Sequence, residues 1–248
     1  AVGAGRWARP GRVGVTGGER EVAGRDGEGV TCRGGGWEAG EAFGEEAEGG
    51  EGPVRGLVNN GAANFRGPTE EIAPNGVDAI VQTNLYGSFY CTQACGQRWL
   101  ERDAEGVVLS IATTYAETGS AYVVPSAMSK AGIVAMTRSL AAEWGSEGIR
   151  LNAVAPGPFP TEGAWDRLVP DDDLEQKMRE RVAVRRFGEP EELATLAGFL
   201  LSDLSAFMNG EVVTFDGGEA LAAGGQFNTF TRMPRRQVKA LMEQMRPE

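Results

Sequence analysis

Leu57 divides the chain into a stretch that buries little and a stretch built to form a core. The first 56 residues contain no leucine, isoleucine or methionine, hold 18 of the 37 glycines and carry an acidic run from Glu38 to Glu51. So few large apolar side chains leave little surface to drive collapse. Beyond that point short apolar runs alternate with long helical patterns. Val54 to Asn60 reads as a buried strand ending in Asn59-Asn60-Gly61. Asn75 to Trp99 reads as one long helix with Val77, Ile80, Val81, Leu85, Phe89 and Cys95 on its buried side. Gly106 to Ile111 is the next strand, followed by a loop and an alanine-rich helix from about Ser126 to Trp144 that Gly145 stops. Arg150 to Ala155 is a strand ended by Pro156-Gly157-Pro158; Glu189 to Leu201 is a helix with a proline in its first turn, and Glu211 to Phe215 is the last strand. Strands alternating with helices predict an α/β fold, a Rossmann-like doubly wound parallel sheet, formed as a single domain over residues 1–248.

The first half departs from that plan. Two short strands fit its sequence, Arg12 to Thr16 and Glu21 to Gly24, and only Glu19 and Arg20 separate Gly17-Gly18 from the second. A parallel crossover needs about a dozen residues. The sequence therefore predicts a nucleotide-binding half that is atypical and shortened over residues 1–56, or one misread in frame, since GC-rich codons read out of frame favour Gly, Ala, Arg and Glu.

A net charge of -11 and a pI near 4.7 argue against an electrostatic footprint for nucleic acid or for an anionic membrane surface, leaving a small molecule as the expected partner. No apolar run approaches the roughly 18 residues that span a bilayer. The 3 cysteines lack a disulfide or metal spacing, and the absence of histidine excludes Ser-His-Asp catalysis and histidine-ligated metals.

Several runs, taken together, carry a family resemblance. They are Asn59 to Phe65, Thr113 to Ser120, Val123 to Gly132, Ser139 to Gly145, Pro156-Gly157-Pro158 and Phe215 to Glu219. Over about two thirds of its length, Asn59 to Asn228, the chain resembles the short-chain dehydrogenase/reductase superfamily and, within it, the 2,4-dienoyl-CoA reductases. One departure from the superfamily is informative. Where its members carry Tyr-x-x-x-Lys this chain has Ser126-Ala127-Met128-Ser129-Lys130, keeping the lysine and losing the tyrosine. A serine hydroxyl is too short and too weak an acid to protonate a carbonyl oxygen in the tyrosine's place.

In the dienoyl-CoA reductases that loss is normal. Hydride adds to the far end of a conjugated thioester, charge develops on the distant thioester oxygen, and the proton finally goes to carbon. Such a site needs oxyanion stabilisation, and two positioned donors supply it. The resemblance implies Tyr115 and Asn64 as those donors, Lys130 on the nicotinamide ribose, and Ser126 bonding cofactor or substrate, with a helix N-cap as the plainer role for Ser126. Tyr115 has a solvated loop position, Asn64 a turn cap and Lys130 a solvated helix face as their plainer alternatives. Thr113 stands near the superfamily serine, and Asn84 resembles the asparagine that stabilises a helix bend.

NADPH is the implied cofactor. Gly17 and Gly18 are what remains of the glycine-rich fingerprint, Arg25 is placed to pair with a 2′-phosphate, and Asn60, Gly61, Pro156, Gly157 and Thr161 match stretches that line the cofactor. Phe159 and Trp165 are candidate walls of an acyl channel. Arg232, Arg235, Arg236 and Lys239 read as a basic, amphipathic surface helix in the tail 229–248 more readily than as a CoA phosphate site. The resemblance further implies an acyl-CoA substrate, a homotetramer assembled through the helices over 75–99 and 126–144, and a bacterial cytoplasmic or eukaryotic mitochondrial matrix setting. Two other readings stand beside it: a reductase of simple carbonyls or alcohols, against which Ser126 argues, and a non-catalytic Rossmann-like scaffold, favoured by the damaged first half.

Overall fold

The computed structural model describes residues 12–16, 30–32, 54–160 and 172–245, with Glu38, Gly40, Glu41, Ala42 and Glu45 in helical conformation. Its strands are β1 (Arg12–Thr16), β2 (Val30–Cys32), β3 (Val54–Asn59), β4 (Gly106–Ile111), β5 (Ile149–Pro156) and β6 (Val212–Phe215). Its helices are α1 (Pro74–Val81), α2 (Gly87–Glu101), α3 (Val124–Trp144), α4 (Asp172–Arg181), α5 (Pro190–Leu201), α6 (Glu219–Gly224) and α7 (Arg235–Gln244). The six strands form one parallel sheet in the order β2-β1-β3-β4-β5-β6. Strand order reverses between β1 and β3, so the carboxyl ends of those strands mark the crevice where open α/β sheets take their ligands. Asn59-Asn60-Gly61 stands at that point, at the end of β3.

The expected strand Glu21 to Gly24 lies outside the described residues. The parallel partner of β1 is Val30–Cys32, in register through Gly14 and Val30. The connection is therefore residues 17–29, long enough for a crossover. The two-residue gap of the sequence reading, Glu19-Arg20, is therefore not the connection between β1 and its parallel neighbour Val30–Cys32.

By their contacts, the described residues up to Pro156 group with Glu191–Phe215 as one compact unit that contains the whole sheet, while Gly157–Pro190 and Asp216 onward form a second. In the first unit β3, β4 and β5 are covered on both faces, which explains why they read as continuous apolar runs. Leu57, Val108, Ile149 and Leu151 pack with Cys91, Cys95 and Trp99 of α2 and with Ala141 of α3. The alternate residues Val58, Leu109 and Val154 face the other way, against Leu193, Leu196, Ala197 and Leu200 of α5. Trp99 also donates its indole N–H to the Val54 carbonyl at 2.7 Å. The ring lies over Gly106, where a Cβ would come within 2.3 Å of it. In the second unit Asp216 caps α6, its carboxylate accepting from the backbone N–H groups of Gly218 and Ala220, both at 2.8 Å.

The long helix expected over 75–99 is broken in phase. Between α1 and α2 the backbone runs as a π-helix over Gln82–Tyr86. The extra residue in that turn rotates everything after it. Cys91, Ala94, Cys95 and Trp99 consequently face the sheet, whereas Phe89, expected inside, is 38% exposed. The helix expected at Ser126 starts earlier, with Val123 at its N-cap and Pro125 in its first turn, so Ser126 is not the cap.

Candidate active site

The site is built where β3 and β4 end and α3 begins, all within the first unit. The parallel pairing of β3 with β4 puts Asn59 beside Ser110, so the loops that follow leave the sheet together. The loop after β3 carries Asn60, Gly61 and Asn64; the loop after β4 carries Thr113 and the helical turn Tyr115–Thr118. A backbone bond from the Gly67 N–H to the Tyr122 carbonyl, 3.0 Å, ties the first of these loops to the segment that enters α3.

Ser126 and Lys130 lie four residues apart, hence on one face of α3, and both are buried. The Ser126 hydroxyl is 3.2 Å from the Tyr115 phenol, and either can be the donor. With Ser126 donating, the phenol proton is free for another acceptor. Tyr115 is thus neither an isolated loop residue nor fully solvated. The Lys130 ammonium donates to the carbonyl of Ile111, the last residue of β4, in a short hydrogen bond. It is 5% exposed, and burial pushes its pKa down to about 8. A solvated helix-face role for Lys130 is excluded by that burial.

Asn84 sits in the π-helical turn, fully buried. Its Oδ1 accepts from the Ala63 N–H at 2.6 Å and its Nδ2 donates to the Ala63 carbonyl at 2.9 Å. Both backbone groups of the residue before Asn64 are held by one side chain. Asn64 itself is exposed, with no hydrogen-bond partner among the described residues, so its amide is available to a ligand. The neighbouring Asn59 is used structurally, donating to Thr92 at 2.9 Å and to Ser110 at 3.2 Å.

Thr113 is half-buried and its carbonyl accepts from Ala116 within the turn, a structural use. Pro156 ends β5 in the first unit. Gly157 belongs to the second unit, where it meets Asp216 so closely that a Cβ would lie 2.8 Å from the Asp216 Cα. Gly17, Gly18, Arg25, Thr161 and Trp165 lie outside the described residues. Phe159 packs in the second unit against Gly188. Sequence reasoning missed the Asn84 clamp on Ala63, the Ile111 carbonyl under Lys130 and Tyr122. Backbone acceptors leave no trace in residue identity; the left-handed backbone of Tyr122 has none either.

A buried lysine beside a strand end and a tyrosine presented from the adjoining loop stand together at the carboxyl edge of the parallel sheet, an arrangement that fits an oxidoreductase. A family model described as enoyl-(acyl carrier protein) reductase matches residues 35–219, and the chain belongs to the short-chain dehydrogenase/reductase family. Within it, the chain is 45% identical over 166 residues to a probable 2,4-dienoyl-CoA reductase, (2E)-enoyl-CoA-producing, of Bacillus subtilis; the match covers 66% of this chain and 65% of that protein. A short chain dehydrogenase from Bacillus anthracis is 32% identical, with a TM-score of 0.73 and 87% of each chain covered. A gluconate 5-dehydrogenase from Burkholderia cenocepacia, solved with NADP and tartrate, is 25% identical with a TM-score of 0.78, covering 87% of this chain and 98% of that one. No helix among the described residues is long and apolar enough to cross a membrane.

Proposed function

We propose that the chain is an NADPH-dependent reductase of 2,4-dienoyl-CoA thioesters. The observation that carries the reading is the Tyr115 to Ser126 hydrogen bond: the phenol is supplied from the loop after β4 and the helix position holds a serine that touches it. Carbonyl reduction needs an acid at the helix position. Dienoyl reduction needs a donor for an oxyanion several bonds from the hydride acceptor, and that demand is met from a different place.

Lys130 fits the cofactor, since a buried ammonium already anchored on Ile111 keeps further protons for the hydroxyls of a nicotinamide ribose. The nicotinamide, when bound, supplies the hydride. Tyr115 donates its phenol proton in a hydrogen bond to the thioester oxygen as negative charge develops there, while Ser126 donates to the phenol oxygen and fixes its direction. The amide Nδ2 of Asn64 is the second donor, located by the clamp of Asn84 on Ala63. Neither donor gives up its proton; the proton that completes the reaction comes from solvent water and goes to carbon. The product has lost one double bond, which lets β-oxidation of an unsaturated acyl chain continue. NADPH rather than NADH is supported by the NADP found in the Burkholderia relative. A homotetramer assembled on the helices over 75–99 and 126–144 belongs to the same reading, supported by the exposed rings of Tyr86 and Phe89.

The test is turnover of a 2,4-dienoyl-CoA with NADPH. Tyr115→Phe and Asn64→Ala are each expected to lower kcat by about 100-fold or more, the usual effect of losing one oxyanion donor, with NADPH affinity nearly intact. Full activity in both variants refutes the oxyanion assignment.

A further inference from the structure

Three described residues other than glycine adopt a left-handed backbone: Asp103, Tyr122 and Arg185. Asp103 lies just past the end of α2, and aspartate tolerates this region. Arg185 holds its place through guanidinium bonds to the carbonyls of Glu180 and Thr231. Tyr122, with φ of 66°, has no such compensation from its side chain. The residue is 61% exposed, and among the described residues nothing hydrogen-bonds its hydroxyl or stacks on its ring. Strain of this kind, in a bulky aromatic residue left without a partner, collects at ligand sites.

The surroundings point to the ligand's chemistry. The Tyr122 carbonyl accepts from Gly67, which draws the segment before α3 to the loop that carries Asn64 and Phe65. Phe65, 40% exposed, lies on Gly76 of α1. Two uncharged side chains, Phe65 and Tyr122, therefore stand open in the segment that carries Asn64 and in the one that enters α3. The acyl chain of a dienoyl thioester continues beyond its reacting carbons and must leave the site over such a rim.

We propose that Tyr122, with Phe65, forms the rim that receives the acyl tail, and that Tyr122 sets the preference for longer chains. The inference rests on the dienoyl thioester reading and deepens it. Glycine at position 122 removes the ring and adopts φ above zero without strain, so the variant separates a ligand contact from a packing role.

The test compares six-carbon and ten-carbon 2,4-dienoyl-CoA with NADPH in the wild type, Tyr122→Gly and Tyr122→Phe. The ratio of kcat/KM for the ten-carbon over the six-carbon substrate is expected to fall about tenfold in Tyr122→Gly, the scale of one or two buried methylenes, through KM for the longer chain. Tyr122→Phe keeps the ratio within about twofold of the wild type on the same scale, and the thermal midpoint of Tyr122→Gly does not fall. An unchanged ratio in Tyr122→Gly overturns the rim. So does a lowered midpoint with equal losses on both substrates, which makes the ring a packing element. A wild type that turns over neither thioester refutes the dienoyl reading itself, a result distinct from either.

Discussion

Replacing Asn84 by alanine tests whether one buried side chain sets both the stability of the β3 loop and the place of the Asn64 donor. Asn84 is fully buried and spends both ends of its amide on Ala63, at 2.6 and 2.9 Å. Truncation leaves one N–H and one C=O without their partner, each at a cost of roughly 1–3 kcal/mol. The sum, about 2–6 kcal/mol, is a large part of the roughly 5–15 kcal/mol that holds a domain folded. Equilibrium unfolding in urea, followed by tryptophan fluorescence, should show a lower midpoint at unchanged slope. Folded variant protein should also lose about 100-fold in kcat on a dienoyl-CoA, because a donor displaced by about an ångström forfeits that much. Asn84→Asp separates the clamp from simple packing. It keeps an acceptor for the Ala63 N–H but replaces the donor to the Ala63 carbonyl with a second oxygen. Burial raises the pKa of the introduced carboxyl above its unfolded value, so the folded state binds the extra proton. Stability is then fullest below the unfolded value near 4 and is lost as pH rises through the folded pKa, because only the protonated carboxyl can donate to Ala63. A loss below about 1 kcal/mol in Asn84→Ala with turnover retained, or no recovery of Asn84→Asp in acid, refutes the clamp against the scale set by its two hydrogen bonds.

Three further outcomes follow from the same geometry. Ser126→Ala should lower kcat roughly tenfold but have no further effect on a Tyr115→Phe background, since the two hydroxyls act through one hydrogen bond; additive losses in the double variant would show that Ser126 works elsewhere. Lys130 carries a folded pKa of about 8 against an ordinary 10.5, so the unfolded chain binds the extra proton between those values and stability rises with pH across that window, by roughly 3 kcal/mol in all. Denaturation from pH 8 to 10 should show this rise in the wild type and lose it in Lys130→Met, and parallel curves for the two would sink the assignment. Gly106→Ala drives a Cβ to within 2.3 Å of the Trp99 ring and should cost about 1–3 kcal/mol in urea unfolding, whereas a neutral result would mean that β4 and α2 adjust freely there.

Much of the fold was legible in the sequence because its signals are local and periodic. Leu57 and Val58, or Val108 and Leu109, are adjacent apolar residues, and an adjacent pair in a strand must face opposite sides, so both faces of the sheet had to be covered. The glycine-rich first half offered no such pattern, and the pairing of β1 with Val30–Cys32 was not legible there. The π-helical turn at Gln82–Tyr86 was invisible because one inserted residue leaves composition unchanged while rotating every later side chain, which is how Phe89 came to face outward.

The site divides along the same line. The sequence, through its family resemblance, pointed to Ser126 in place of the usual tyrosine, to Tyr115 and Asn64 as donors and to a retained Lys130; the chemistry of functional groups is written in the side chains themselves. Only the tertiary structure decided that Ser126 touches Tyr115, that Asn84 grips both backbone groups of Ala63, that Lys130 rests on Ile111, and that Tyr122 is held open in a strained backbone. Those are relations between segments far apart in the chain, and through backbone atoms common to every residue. No single position in the sequence carries them.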